Sequence, residues 1–124
     1  MIIPNVILAV QTVARLAHEQ NNLIKKLLKE EVVEAYEDYN NLPDSMKASN
    51  LKGIEFILNK PDVTPEQLHN SWLAEKAANG WVYGETLSHD TKTHPNMRRF
   101  IELPESQKLK DEEFLRLVKS VYSV

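Results

Sequence analysis

No cysteine occurs among the 124 residues, which removes disulfides, thiolate nucleophiles and cysteine-ligated zinc from consideration. Glycine is almost as scarce. Gly53, Gly80 and Gly84 are the only three, which excludes a glycine loop that cradles phosphate on its backbone N–H groups. An excess of positive charge is missing too. Lys and Arg number 15 against 18 Asp and Glu, a formal net charge of −3. Non-specific nucleic-acid binding draws its affinity from many phosphate-neutralising cations, and this chain does not offer them. Two or three local cations still suffice for one small anion. No apolar run approaches the ~20 residues that a membrane span needs. The apolar start, Met1 to Val10, has no basic residue before it and is interrupted or closed by Pro4, Asn5, Gln11, Arg15 and His18. It does not read as a secretory signal. The expectation is a soluble, intracellular protein with neither nucleic acid nor membrane as a partner.

What is present is the composition of one globular domain, 42% hydrophobic and 27% charged. Pro4 suits the first turn of a helix, and Val6, Ile7, Val10, Val13, Ala14 and Ala17 follow at spacings of three and four. Asn21-Asn22 reads as a break or kink. A second stripe of Leu23, Ile24, Leu27, Leu28, Val32, Ala35, Tyr36 and Tyr39 comes after it. That second helix runs from lysines to glutamates, against the helix dipole, so packing must hold it. Asn40 to Ser45 is turn chemistry, with Asp44 or Ser45 able to cap a third helix through Met46, Leu51, Ile54, Ile57 and Leu58. Thr64-Pro65-Glu66-Gln67 is the strongest local signal: an N-cap threonine, proline at the first helical position and glutamine completing a capping box. The fourth helix ends near Asn79, where Gly80 suits a left-handed cap. Trp81 to Gly84 reads as a short extended segment, and Glu85 to Glu102 has no helical period. A connection that long, when ordered, is usually functional. Leu103-Pro104-Glu105 opens a last helix with Leu109, Phe114, Leu117, Val118 and Val121 inward. The fold class is mainly α, five helices, with one long ordered irregular segment and little β.

No catalytic or metal signature assembles from these residues. His18-Glu19 lacks the second histidine of a zinc helix, and adjacent helical residues do not share a face for acid–base work. His89 and His94 lie five apart and would need a third ligand such as His69 through the fold. No serine sits in a Gly-x-Ser-x-Gly turn. The reading is a non-enzymatic chain with no metal and no cofactor.

The run His69-Asn70-Ser71-Trp72, then Lys76, then Gly80-Trp81-Val82-Tyr83-Gly84, then Lys92-Thr93-His94-Pro95, then Glu102-Leu103-Pro104-Glu105 stands in a definite order. It closely resembles the RyR domain, the repeat module of ryanodine receptor channels that also occurs alone in bacterial and phage proteins. Ala17-His18-Glu19 is similar to the leader helix of the small phage-type members. Two positions depart from the family pattern: Asn96 stands where cysteine commonly follows His-Pro, and Phe100 is nearest to a common tyrosine. The resemblance divides the chain into an N-terminal helical extension, 1–60, packed on an RyR-type module, 61–124, within one domain.

The resemblance implies a binding module for a nucleotide-like small molecule of ADP-ribose or adenine-nucleotide type. It would act as a sensor or a phage sequestering protein in the cytoplasm of a bacterial host. The alternative is a protein-interaction or scaffolding module with no small ligand. Carried over by motif, Trp72 would stack on a base. Lys76 would meet phosphate, and Lys92, His94, Arg98 and Arg99 would add polar or cationic contacts. His69, Trp81 and Tyr83 complete the candidate set. Each aromatic also has a plainer reading as a core anchor, since large rings dominate small cores, and His69 could merely bond backbone. Because the receptor modules occur in tandem pairs, a lone copy implies a homodimer, with the stripes Val6–Val13 and Leu23–Val32 to pack on.

Overall fold

The computed structural model describes residues 4–29 and 38–124, with side chains from residue 10 onward. The expected stripe positions Val32, Ala35 and Tyr36 lie outside the described residues. Four α-helices are described: α1 (Pro4–Leu27), α2 (Asp44–Asn59), α3 (Pro65–Ala78) and α4 (Glu105–Tyr122). Two short 3-10 turns, Tyr39–Asn41 and Phe100–Glu102, punctuate them. Two two-residue strands, β1 (Val82–Tyr83) and β2 (Thr93–His94), pair in parallel, Val82 opposite Thr93 and Tyr83 opposite His94. The chain is mainly α with little β, as its periodicity implies.

The expected break at Asn21-Asn22 does not occur, and α1 runs through both. Asparagine weakens a helix when its side chain competes for nearby backbone. Here Asn22 Nδ2 instead lies 3.3 Å from His18 Nε2, one turn back, so the backbone ladder stays intact. The start of α2 also differs from expectation. Pro43 is its N-cap and makes no side-chain bond, while Asp44 sits in the first turn, where a carboxylate favours the dipole. Thr64 forms the full capping box: Gln67 N–H donates to its hydroxyl at 3.2 Å, and Thr64 N–H donates to Gln67 Oε1 at 3.1 Å.

One core joins all four helices. Val13 and Ala14 of α1 cluster with Ile54 and Ile57 of α2, Val63 and Leu68 around the start of α3, and Leu115 and Val118 of α4. Fully burying one such aliphatic side chain contributes roughly 1.5–3 kcal/mol. Tyr39 and Leu42 bring the first 3-10 turn into the same cluster. Val121, expected on the inner face of α4, is 46% exposed, and Leu115, three residues before Val118, takes the buried place.

The segment after α3 is tied down by glycine. Gly80 ends the helix with φ of +86°, a left-handed conformation open to glycine without a Cβ clash. Gly84 permits contact between the two short strands, because a Cβ there would lie 2.5 Å from Thr93 Cβ. Val82 N–H donates to Lys92 C=O and Gly84 N–H to His94 C=O, closing residues 84–92 into a loop. Its end is pinned by the antiparallel bridge between Ser88 and Thr93. The segment expected to be ordered but irregular is held at both ends.

Candidate ligand-binding cleft

The capping box fixes where α3 begins, and that start sets which face His69 and Trp72 present. Being three apart, they lie on one face of the helix. His69 is buried, and its Nε2–H donates to Arg98 C=O at 2.7 Å, tying α3 to the irregular segment. Burial holds its pKa below the ordinary value, opposed by that backbone bond, which requires a proton on Nε2. Trp72 stacks on His69 at 5.6 Å between centroids and 23° between planes. The edge of His94, from β2, meets Trp72 at 5.0 Å and 75°. His94 Nδ1 accepts from Asn96 N–H at 3.0 Å, which leaves Nε2 to carry the proton of the neutral ring. Burial, then the charges of Lys76, His89 and His69, holds its pKa down to about 4.

These three rings form one wall of a cleft of about 570 Å³. Facing them are Asn21 and Lys25 of α1 and Gln107, Lys110 and Asp111 of α4, with Gly53 and Phe114 between α2 and α4. Gln107 Nε2–H donates to Asp111 Oδ1 at 3.2 Å, one helical turn on. Burial pushes the Asp111 carboxyl up to about 6, against the opposing Gln107 bond and Lys110 charge. Its Oδ2 is buried and accepts no hydrogen bond, and the same holds for Asn21 Oδ1.

Of the nine residues singled out from the sequence, His69, Trp72 and His94 line this cleft and the other six do not, Arg99 pairing instead with Glu102 at 2.9 Å. Lys76 points at Trp81, its Nζ 5.3 Å from the ring centroid. Burial lowers its pKa; Glu75 opposes this and Lys52 adds to it. Trp81 meets the His89 ring at 5.4 Å and 90° and so braces the loop. Lys92 reaches back to donate to Asn79 C=O at 2.8 Å, at the C-terminal end of α3, where a cation is favourable. Tyr83 is exposed, with the Arg98 guanidinium 6.0 Å from its ring. Arg98 acts on the site through its backbone, as the acceptor for His69.

The cations of the cleft are Lys25 and Lys110 instead, and these, with Asn21, Gln107 and Asp111, are what sequence reasoning missed. A partial signal existed. Gln107 and Asp111 stand four apart within an otherwise apolar inner stripe, and Lys110 falls in the same stripe. No described helix is long and apolar enough to cross a membrane.

A family model for the RyR domain matches residues 43–122, taking in α2, α3, the looped segment and all of α4. Asn21 and Lys25 reach the cleft from α1, outside that match. With His69, Trp72, Trp81, His94 and the Leu103-Pro104 step all inside it, the chain belongs to the RyR domain family, whose modules are non-catalytic.

Proposed function

We propose that this RyR-type chain is a non-enzymatic module that binds a nucleotide-like small molecule, of adenine-nucleotide or ADP-ribose type, in the cleft between α3 and the α1–α4 pair. The observation that carries the reading is Trp72: half-buried, lining the cleft, and set by its stack on His69. An aromatic face fixed in this way offers a base roughly 1–3 kcal/mol of stacking. Lys25 and Lys110 supply positive charge to the same cleft for a phosphate. Such a module serves as a sensor or as a sequestering protein.

The test is thermal unfolding of the full chain against adenine nucleotides, cyclic dinucleotides and ADP-ribose derivatives. A compound that binds only the folded state adds ~2.7 kcal/mol at 100 times its Kd, visible as a raised midpoint. Trp72→Ala should weaken the active compound roughly tenfold to a hundredfold. Undiminished affinity in a folded variant removes Trp72 from the site. Recovery of the compound unchanged after incubation is the expected sign that no reaction is catalysed.

A second reading, as a protein-interaction module, draws on Val82, Tyr83 and Ile101, which are 56%, 51% and 73% exposed. A flat response across the whole panel transfers the proposal to that surface. In either role we read the chain as a homodimer, on the exposed Leu16, Leu23, Leu27 and Leu28 of α1 and its following turn. Sedimentation at micromolar concentration should give twice the chain mass; a strict monomer ends that part of the reading.

A further inference from the structure

The walls of the cleft differ in how their polar atoms are satisfied. His69 and His94 each spend a ring nitrogen on backbone, whereas Asp111 Oδ2 and Asn21 Oδ1 are buried acceptors that receive nothing. A buried acceptor without a donor is costly, and most such groups in native proteins have partners. Two of them line one cleft, from two helices far apart in the chain. Asp111 is also held in place: Gln107 occupies its Oδ1, which leaves Oδ2 for a further donor. An ionised carboxylate accepts and cannot donate, so whatever completes it must bring N–H or O–H.

We propose that Asp111 and Asn21 form a donor-reading subsite, and that the molecule taken up is a ribonucleotide presenting hydrogen-bond donors to this pair while its base lies against Trp72. The inference rests on the nucleotide reading above and deepens it. Two parts of a ribonucleotide carry such donors, the vicinal sugar hydroxyls and the exocyclic amino group of the base. Acidic side chains bind ribose hydroxyls in dinucleotide-binding folds by the same chemistry. Because Asn21 lies outside the family match, half of the subsite belongs to what α1 adds to the module.

The experiment titrates adenosine 5′-monophosphate, its 2′,3′-dideoxy analogue and inosine 5′-monophosphate into the full chain. Wild type, Asp111→Asn and Asn21→Leu are compared, each first checked for a cooperative thermal transition. Asp111→Asn keeps the shape and puts a donor among the acceptors. It should weaken adenosine monophosphate about tenfold to a hundredfold, in line with a lost bond to a charged group. Asn21→Leu should weaken it less, and it serves alone if the first variant fails to fold. One analogue should already show the loss in wild type and lose little more in the variants, the pattern of two changes removing one interaction. Loss with the dideoxy compound assigns the sugar, and loss with the inosine compound assigns the base. Equal binding of all three by wild type and variants, or an equal fall of all three in the variants, overturns the donor-reading subsite and leaves the nucleotide reading standing. Failure of all three to bind wild type overturns the subsite, and the nucleotide reading falls with it when the wider panel, ADP-ribose derivatives included, is silent as well.

Discussion

The cleft's α3 wall and its α1–α4 wall use polar side chains in opposite ways. On the first, His69 ties α3 to the distant Arg98 carbonyl, His94 fixes the local turn by accepting from Asn96 N–H, and the rings of His69, Trp72 and His94 pack on one another. On the second, Asp111 and Asn21 keep buried oxygens without donors. A hydrogen-bonded buried group stabilises by about 1 kcal/mol net, whereas an unmade bond costs ~1–3 kcal/mol. One wall is built to hold its shape. The other is held at a cost in stability, the pattern expected where an arriving molecule completes the bonding.

The largest effect expected from this contrast comes from removing the tie. His69→Leu takes away the donor to Arg98 C=O, leaves that carbonyl half-buried without a partner, and deletes the ring beneath Trp72. The loss should be about 3 kcal/mol by urea unfolding. Asn21→Leu, which removes an acceptor that bonds nothing, should be neutral or slightly stabilising in the same measurement. Equal losses in the two variants would break the contrast.

What the sequence made legible follows the range of the forces involved. The capping box at Thr64, the left-handed Gly80 and the shared face of His69 and Trp72 depend on neighbours within a few residues, and the structure has all three. Lys76 illustrates the limit. Its spacing from Trp72 puts both on one helical face, yet the nearby Trp81 ring engages its ammonium outside the cleft. Lys92 is engaged in the same way by the carbonyl end of α3. The α1–α4 wall was legible only in part: the inner stripe of α4 includes Gln107 and Asp111, but the wall forms only when α1 packs on α4, and α1 alone does not mark Asn21 as inward. Even the double asparagine misled for this reason. Asn22 bonds back along the helix and Asn21 faces the cleft, so neither interrupts the backbone.

The two walls should also answer acid with opposite sign, a smaller effect at any one pH and a finer test. His94 is held down to about 4 by burial and by Lys76, His89 and His69, while an unfolded histidine titrates at 6.5. As pH falls from 6.5 toward 4, the unfolded chain takes up that proton first and the native state loses stability. Asp111 is pushed up to about 6, with Lys110 and Glu112 beside it, while its unfolded counterpart titrates at 3.8. As pH falls from 6 toward 3.8, the native state takes up the proton first and gains stability. Each shift corresponds to roughly 3 kcal/mol. In wild type the two should nearly cancel. Asp111→Asn removes the gain, so relative to wild type it should be more stable above pH 6.5 and fall toward it by about 2 kcal/mol at pH 4. His94→Asn, whose Oδ1 can replace Nδ1 as acceptor for Asn96 N–H, removes the loss. Its stability should therefore improve relative to wild type over the same interval. Urea unfolding of both variants at several pH values between 4 and 7 reads the two slopes. Parallel slopes of the same sign would show that the walls titrate alike, and the division between them would not hold.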